Sequence, residues 1–274
     1  MFISADMEGT TGVTAWDDVS PGKPAYERFR KLLTADVNAA IEGAIEAGAT
    51  EILVNEAHGG MRNILIEDLN PKARMITGSM GKRHCMMEGI DESFVAVFLI
   101  GYHARAGTDA GVLHHTLTGS IYNFWINGVL VGETGISASL AGYYGVPIAL
   151  VSGDDKMAKE AKELLGDVEM AEVKVGVDRY TARCLPPKES GERIKQAAVR
   201  ALERINELKP YKVETPVKFE VEFTSVGMAS LASALPGVVK KESRKIFHKS
   251  KNVIEGWNII WPSILLSTSA EPRF

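Results

Sequence analysis

Residues 2–9 read FISADMEG, and this segment decides how the chain is expected to fold. Phe2 to Ala5 is an apolar run of strand length, and the carboxylates of Asp6 and Glu8 follow it. Residues two apart in an extended chain point to the same side, so we expect both carboxylates to face one direction. Two like charges held together favour a bound cation, although such a pair is also typical of helix-capping or solvated acids at a strand end.

Beyond this segment, strand-like apolar runs alternate with helical patterns up to about residue 155. The predicted strands are 51–54, 93–100 and 147–151, and the predicted helices are 26–47, 135–144 and 156–165. This alternation predicts an α/β fold, with a mostly parallel sheet and helices on both of its faces. The dipeptide Asn127-Gly128 lies between two further apolar runs, 121–126 and 129–132, and predicts a type I′ hairpin turn.

The pattern changes after about residue 175. A long amphipathic helix is expected near 190–208, a strand at 217–223 and a small-residue helix at 228–234. We therefore predict a larger α/β domain over residues 1–175, which carries the candidate site, and a smaller C-terminal α+β domain over residues 176–274. The smaller domain is a candidate for oligomer contacts. Its apolar stretch 259–266 is equally compatible with a subunit contact and with a core.

Composition narrows the class of protein. The formal net charge is −4, whereas a nucleic-acid-binding surface usually brings a clustered basic excess, so no nucleic-acid partner is expected. The first residues lack the basic and apolar regions of a signal peptide, and apolar runs such as 95–100 are too short to cross a bilayer. We expect a cytoplasmic protein without a membrane partner. Cys85 and Cys184 lack CxxC spacing, so no thiolate metal site is indicated.

Two histidines follow predicted strands in the same way as the acidic pair. His58 comes after the strand 51–54, within a glycine-rich loop, and His103 comes after the strand 93–100. Taken singly, each histidine is more often a surface or structural residue. Because the carboxyl ends of parallel strands share one crevice, the joint pattern favours a metal site. Carboxylate and imidazole ligands without thiolates suit catalytic zinc, or else manganese or cobalt.

Position alone does not identify the remaining ligands. Several acids lie close to predicted strand ends, namely Glu56, Asp91, Glu133, Asp154 and Asp155. His114 and His115 are adjacent, so in an extended chain at most one of them faces the crevice, and that one is a candidate general acid or base. The signatures of serine hydrolases, HExxH metalloproteases, dinucleotide-binding folds and P-loops are missing.

The segments SADMEG, NEAHGG, GYHARAGT, GVLHH and VGETG, in this order and spacing, resemble the D-aminopeptidase family, the zinc-dependent, self-compartmentalising aminopeptidases of peptidase family M55. The resemblance extends over most of the chain and fades in its last sixty or so residues. The serine-x-Asp-x-Glu-Gly opening is the family's most specific motif, and here it begins at Ser4. The resemblance implies a metallo-aminopeptidase with two zinc ions per subunit.

Carried over residue by residue, the resemblance implies that Asp6 bridges both metals. Glu8 and His103 then complete one metal site, and His58 and Glu133 complete the other. The family's catalytic histidine falls on His115 if the loop 107–111 is one residue longer here, and the neighbouring His114 departs from the family pattern.

The activity that this resemblance implies is removal of N-terminal residues, including D-amino acids, from short peptides or amino-acid amides by metal-activated water. Similar proteins assemble as ring-like homodecamers that enclose their active sites. Two alternatives remain open at this point: another two-metal hydrolase, such as a phosphoesterase or amidase, and a metal-binding module without activity. Arg105 is the one arginine in the predicted site loops that could clamp a phosphate.

Overall fold

The computed structural model describes residues 1–79 and 83–270. The strands are β1 (Phe2–Ala5), β2 (Ile52–Glu56), β3 (Ala73–Ile76), β4 (Val97–Tyr102), β5 (Ile121–Ile126), β6 (Val129–Leu130), β7 (Ile148–Asp154), β8 (Glu169–Asp178), β9 (Thr181–Cys184), β10 (Val217–Phe223), β11 (Val239–Lys240) and β12 (Lys245–Ser250). The α-helices are α1 (Trp16–Val19), α2 (Tyr26–Glu46), α3 (Glu133–Tyr143), α4 (Asp155–Leu165), α5 (Pro187–Glu203), α6 (Val226–Ala232) and α7 (Val253–Ser267).

The larger sheet has the strand order β3-β2-β1-β4-β7-β8-β9 within the described residues. All neighbouring pairs are parallel except β8 with β9. The chain proceeds outward from β1 in one direction and then from β4 in the other. A crevice therefore opens at the carboxyl ends of β1 and β4, which is where open α/β sheets bind ligands.

Apolar side chains pack on both faces of this sheet because successive residues of a strand point to opposite sides. On one face Ile3 and Phe98 belong to a cluster that α2 and α5 cover. On the other face Phe2 and Leu99 belong to a cluster that includes residues of α3, α4 and the second sheet. The predicted α/β class, with a mostly parallel sheet and helices on both faces, is confirmed.

The second sheet is antiparallel, with the order β11-β12-β10-β5-β6. Its hairpin β5–β6 turns at Asn127 and Gly128, whose φ angles of 50° and 82° fit the predicted type I′ turn. This hairpin comes from the first part of the chain, whereas β9 and α5, from the later part, join the larger sheet. The predicted domain boundary after residue 175 lies inside β8, so the two-domain division stays a prediction.

Several element bounds differ from the sequence expectation for local reasons. The strand expected from Ser93 begins at Val97, because residues 91–95 form turns and Val95 is 62% exposed. The helix expected near 190–208 begins at Pro187, since proline suits the first helical position, and ends at Glu203. Among the described residues, no helix is both long enough and apolar enough to cross a membrane.

Candidate metal centre

The five predicted ligands meet at the crevice between β1 and β4. Asp6 and Glu8 follow β1, His58 follows β2, and His103 follows β4 directly. Glu133 reaches the same place from another direction, as the first residue of α3. Four of these side chains are at most 4% exposed, and that of His58 is 12% exposed.

Asp6 lies at the middle of the group. Its Oδ1 is 3.5 Å from Nδ1 of His58, and its Oδ2 is 3.4 Å from Nε2 of His103. The backbone N–H of Met7 donates to Oδ1 at 2.8 Å, which fixes the rotation of the carboxylate. One carboxylate therefore presents an oxygen to each of two imidazoles.

The other two carboxylates each lie against one of these imidazoles. Oε2 of Glu8 is 2.8 Å from Nδ1 of His58, and Oε1 of Glu133 is 3.3 Å from Nε2 of His103. Three sets of three candidate ligands have their ligand atoms within 4.8 Å of one another, namely Asp6-Glu8-His58, Asp6-His103-Glu133 and Glu8-His103-His115. The shortest contact of Glu8 is with His58, and the third set also brings Glu8 together with His103, the partner that the family resemblance implied.

Backbone carbonyls hold both imidazoles in a ligand-competent orientation. Nε2 of His58 lies 2.8 Å from the Val19 carbonyl oxygen, and Nδ1 of His103 lies 2.9 Å from that of Ala104. Because a carbonyl only accepts, each of these nitrogens donates its proton. The opposite nitrogen faces the carboxylates and would offer its lone pair to a metal ion bound among them, which is how metal-bound histidines are usually oriented.

Two polar atoms at the centre support a cation. Oδ2 of Asp6 and Nε2 of His103 are buried and have no hydrogen-bond partner among the described residues. A buried polar atom without a partner is costly, and a metal ion would satisfy both atoms at once. Oxygen and nitrogen donors with no thiolate match the ligand preference of catalytic zinc. The residues therefore fit a zinc centre.

The charges at the centre perturb one another strongly. Burial and the neighbouring Glu8 carboxylate raise the pKa of Asp6 to about 7. Burial opposes the charge of Glu8 as well, but His58 outweighs it and holds the pKa of Glu8 well below its usual value. Burial opposes the protonation of His58 and His103, yet the facing carboxylates raise both pKa values well above 6.5. Positive charge at this position therefore stabilises the buried carboxylates.

His115 is the one of the two adjacent histidines that faces the centre. Its Nε2 lies 3.8 Å from Glu8 Oε1 and 3.6 Å from Glu133 Oε1, and its ring stacks on His103 with centroids 4.1 Å apart. Its Nδ1 donates to the Leu113 carbonyl oxygen at 3.0 Å. Burial and His103 lower the pKa of His115, which favours a neutral ring with the Nε2 lone pair toward the cleft.

The remaining candidates have structural roles. Nδ1 of His114 accepts the Gly107 N–H at 3.1 Å, away from the centre. Glu56 accepts the N–H groups of residues 63 and 64, and Asp154 caps α4 by accepting those of residues 156 and 157. Asp155 bonds Lys156, and Asp91 bonds Ser93.

A cleft of about 550 Å³ leads to the centre. The three carboxylates and the imidazoles of His58 and His115 line its polar part, and apolar side chains line the rest, among them Trp16, Met61, Trp261 and Leu265. Trp16 also meets the ring of His115 edge-on, with centroids 5.4 Å apart. Sequence reasoning did not find this wall, because α1 is short and α7 is distant in sequence. An apolar cleft over a polar floor is typical of a small-molecule or peptide site.

Comparison with known proteins identifies the family. The model of the D-aminopeptidase family, peptidase M55, matches residues 1–261. The chain belongs to this family. It is therefore a hydrolase of the metallopeptidase class, as the motif resemblance predicted.

Two relatives in this family cover nearly the whole chain. A D-aminopeptidase of Bacillus subtilis (strain 168) is 36% identical over 272 residues, which are 98% of each chain. The solved structure described as the Zn-dependent D-aminopeptidase DppA from Bacillus subtilis, a self-compartmentalizing protease, superposes with a TM-score of 0.96. That structure is 35% identical in sequence, and the match covers 99% of each chain.

Proposed function

We propose that this chain is a zinc aminopeptidase with two zinc ions per subunit, which releases N-terminal residues, including D-amino acids, from short peptides or amino-acid amides. The observation that carries the proposal is the Asp6 carboxylate, whose two oxygens face two different imidazoles 3.5 and 3.4 Å away. A carboxylate in that position is suited to bridge two metal ions. The description of the Bacillus relative as Zn-dependent supports the choice of metal.

Each zinc site would take Asp6 and two further ligands. Glu8 and His58 would complete one site, and His103 and Glu133 the other, following the shorter contacts. Paired zinc ions would supply Lewis-acid polarisation of the scissile carbonyl and a water whose pKa is lowered toward about 7. The hydrogen bonds that the two imidazoles donate to the backbone carbonyls of Val19 and Ala104 would keep both histidines in their ligating orientation.

We assign proton transfer to His115. Its Nδ1–H is held by Leu113, so Nε2 is left to accept a proton at the cleft and to return it to the leaving amine. The distances of 3.6 and 3.8 Å from Nε2 to the carboxylates of Glu133 and Glu8 place the ring beside the metal ligands without a hydrogen bond to either. The ring is therefore free for substrate.

A phosphate-binding role receives no support from the cleft. The Arg105 guanidinium donates to the Ala106 carbonyl oxygen at 2.8 Å, and Arg105 is absent from the described residues that line the cleft. Uncharged walls suit a peptide or an amino-acid amide better than a phosphate ester. We accordingly favour peptide hydrolysis over phosphoesterase activity.

We further propose a cytoplasmic homo-oligomer, a decamer by family resemblance, in which assembly restricts access to short peptides. The description of the relative as self-compartmentalizing supports an oligomer. Mass photometry would measure the subunit number directly. A monomer under conditions of full activity would refute compartmentalisation but not catalysis.

The deciding experiment measures hydrolysis of matched D- and L-aminoacyl amides and dipeptides by zinc-loaded enzyme. Chelator-treated protein and Glu8→Ala serve as the metal-deficient comparisons, and His114→Ala is the matched control for a histidine outside the centre. We expect release of the N-terminal residue by the zinc-loaded enzyme and by His114→Ala alone. Zinc binding without turnover on any of these substrates would refute the peptidase proposal and favour a binding module.

A further inference from the structure

A buried lysine reaches the loop that follows β1. Lys174 lies in β8, is 2% exposed, and donates from Nζ to the carbonyl oxygens of Glu8, Thr10 and Val13 at 2.5, 3.0 and 2.8 Å. All three acceptors belong to one segment, which we call the β1 loop (residues 8–13). Glu8, the first residue of that segment, is a proposed zinc ligand.

The geometry requires a charged lysine. Three carbonyl oxygens only accept, so Nζ must supply three N–H donors, which an ammonium has and a neutral amine lacks. The three loop carbonyls are the hydrogen-bond acceptors of Nζ. Burial lowers the pKa of Lys174 to about 8, and Asp154, Cys184 and Asp36 oppose this shift, so the ammonium form predominates at neutral pH. Burying an ammonium is costly unless it is fully hydrogen-bonded, and here it is.

Other contacts leave the β1 loop little freedom. The N–H of Gly9 donates to the Gly101 carbonyl oxygen at 2.7 Å, and a Cβ at Gly9 would lie 1.9 Å from the Tyr102 carbonyl oxygen. The N–H of Thr11 donates to Asp36 at 2.9 Å. The hydrogen bond from Lys174, by contrast, is made to the backbone carbonyl of Glu8, which is itself a proposed zinc ligand.

We propose that Lys174 is a positioning residue for the metal centre: its ammonium fixes the backbone of Glu8 so that the carboxylate is placed for zinc before zinc binds. This inference rests on the proposed zinc function. Partners behind a metal ligand commonly change metal affinity by about 10- to 100-fold when removed. Because Lys174 holds the backbone of Glu8, the loss should fall on the zinc ion that Glu8 ligates.

The test compares Lys174→Met, which keeps length but removes the ammonium, with Lys174→Gln, which keeps two N–H donors. Lys159→Met is the control, since the Lys159 side chain is 74% exposed on α4. Zinc titrations against a chromogenic chelator should give two tight zinc ions in wild type and in Lys159→Met. In Lys174→Met one zinc should weaken about 10- to 100-fold, with a smaller loss in Lys174→Gln.

Steady-state kinetics and hydrogen exchange distinguish a positioning role of Lys174 from a role in overall stability. Lys174 does not line the cleft, so kcat should fall in Lys174→Met while KM stays near the wild-type value. In zinc-free wild type, hydrogen exchange should show that the amides of the β1 loop remain protected, which tests the idea even if the Lys174 variants do not fold.

Three results would overturn the inference. They are two tight zinc ions with full kcat in Lys174→Met, equal weakening of both zinc ions in line with lost thermal stability, and loss of β1-loop protection in zinc-free wild type. Failure of wild type itself to bind zinc would instead refute the proposed function, so the two failures are distinguishable.

Discussion

Replacing His115 with alanine should slow turnover strongly while both zinc ions remain bound. The contacts among Asp6, Glu8 and His58, and those of His103 with Glu133, do not involve the His115 ring. The ring contributes its Nε2 toward the cleft and its stack against His103. Its removal should therefore delete a proton-transfer group and leave the metal ligands in place.

The size of the effect follows from the assigned role. A positioned acid or base typically contributes about 10²- to 10⁴-fold to a rate, which is about 3–5 kcal/mol of transition-state stabilisation. The His115 ring stacks on His103, and its Nε2 makes no hydrogen bond to the carboxylates of Glu8 or Glu133. We therefore expect a loss in kcat with little change in zinc affinity. A ligand, by contrast, would lose zinc and activity together.

The assay is steady-state hydrolysis of an aminoacyl amide by zinc-saturated enzyme, with bound zinc counted by plasma mass spectrometry. His114→Ala is the matched control, because His114 accepts the Gly107 N–H and faces away from the centre. We expect His114→Ala to keep kcat within a few-fold of wild type. Loss of zinc from His115→Ala would make His115 a ligand, and a kcat within about tenfold of wild type would refute its assignment as the proton-transfer group.

Three further predictions follow from individual contacts. Glu8→Ala should bind one zinc weakly, so that the rise in melting temperature on adding zinc is smaller than in wild type by differential scanning fluorimetry. Burial raises the pKa of Asp36 from 3.8 to about 6, so its protonated form stabilises the folded chain below about pH 4, and this contribution is lost as the pH rises to 6. Urea unfolding of wild type and Asp36→Asn should therefore show that wild type loses up to about 3 kcal/mol of stability relative to the variant over this range. Gly9→Ala should destabilise by about 1–3 kcal/mol in urea, because its Cβ would lie 1.9 Å from the Tyr102 carbonyl oxygen, whereas Gly60→Ala, with nothing within 4 Å, should change little.

Elements whose pattern is local were predictable from the sequence. The helix α2 has an apolar stripe over its whole length, the hairpin turn at Asn127 has its own dipeptide signal, and β10 alternates buried and exposed residues. The strands β3, β8, β9, β11 and β12 were not predicted. β3 and β12 have no clear apolar run, since arginine and lysine interrupt them, and their strand character depends on the neighbours that pair with them.

The helix α7 shows how an apolar run without context is ambiguous. The stretch 259–266 was compatible with a core or with a subunit contact. Ile260 and Ile264 are buried in the core, while Leu265 is 48% exposed and lines the cleft. The same helix thus serves the core with one face and the cleft with another, and Pro262 inside it gave no helical signal to the sequence.

Some residues of the candidate site could likewise be predicted from the sequence, and others could not. Asp6, His58 and His103 follow parallel strands, and the carboxyl ends of such strands meet at one edge, so their convergence could be argued from order alone. Glu133 could not be chosen on that ground, because four other acids also lie near strand ends. It arrives on α3 only after the chain has left the main sheet, formed the hairpin β5–β6 and returned.

Because the chain forms the hairpin β5–β6 before it reaches α3, the second sheet has a role in forming the site. The hairpin is held by β10 and its side chains share a core with α3, so the position of Glu133 depends on the packing of the second sheet. Leu117, just before the hairpin, donates its N–H to Glu133 Oε1 at 2.6 Å and ties the segment that carries His115 to the same carboxylate. The larger sheet therefore carries the three proposed ligands whose convergence follows from strand order, and the smaller sheet helps to position Glu133 and the proposed proton-transfer residue His115 beside them.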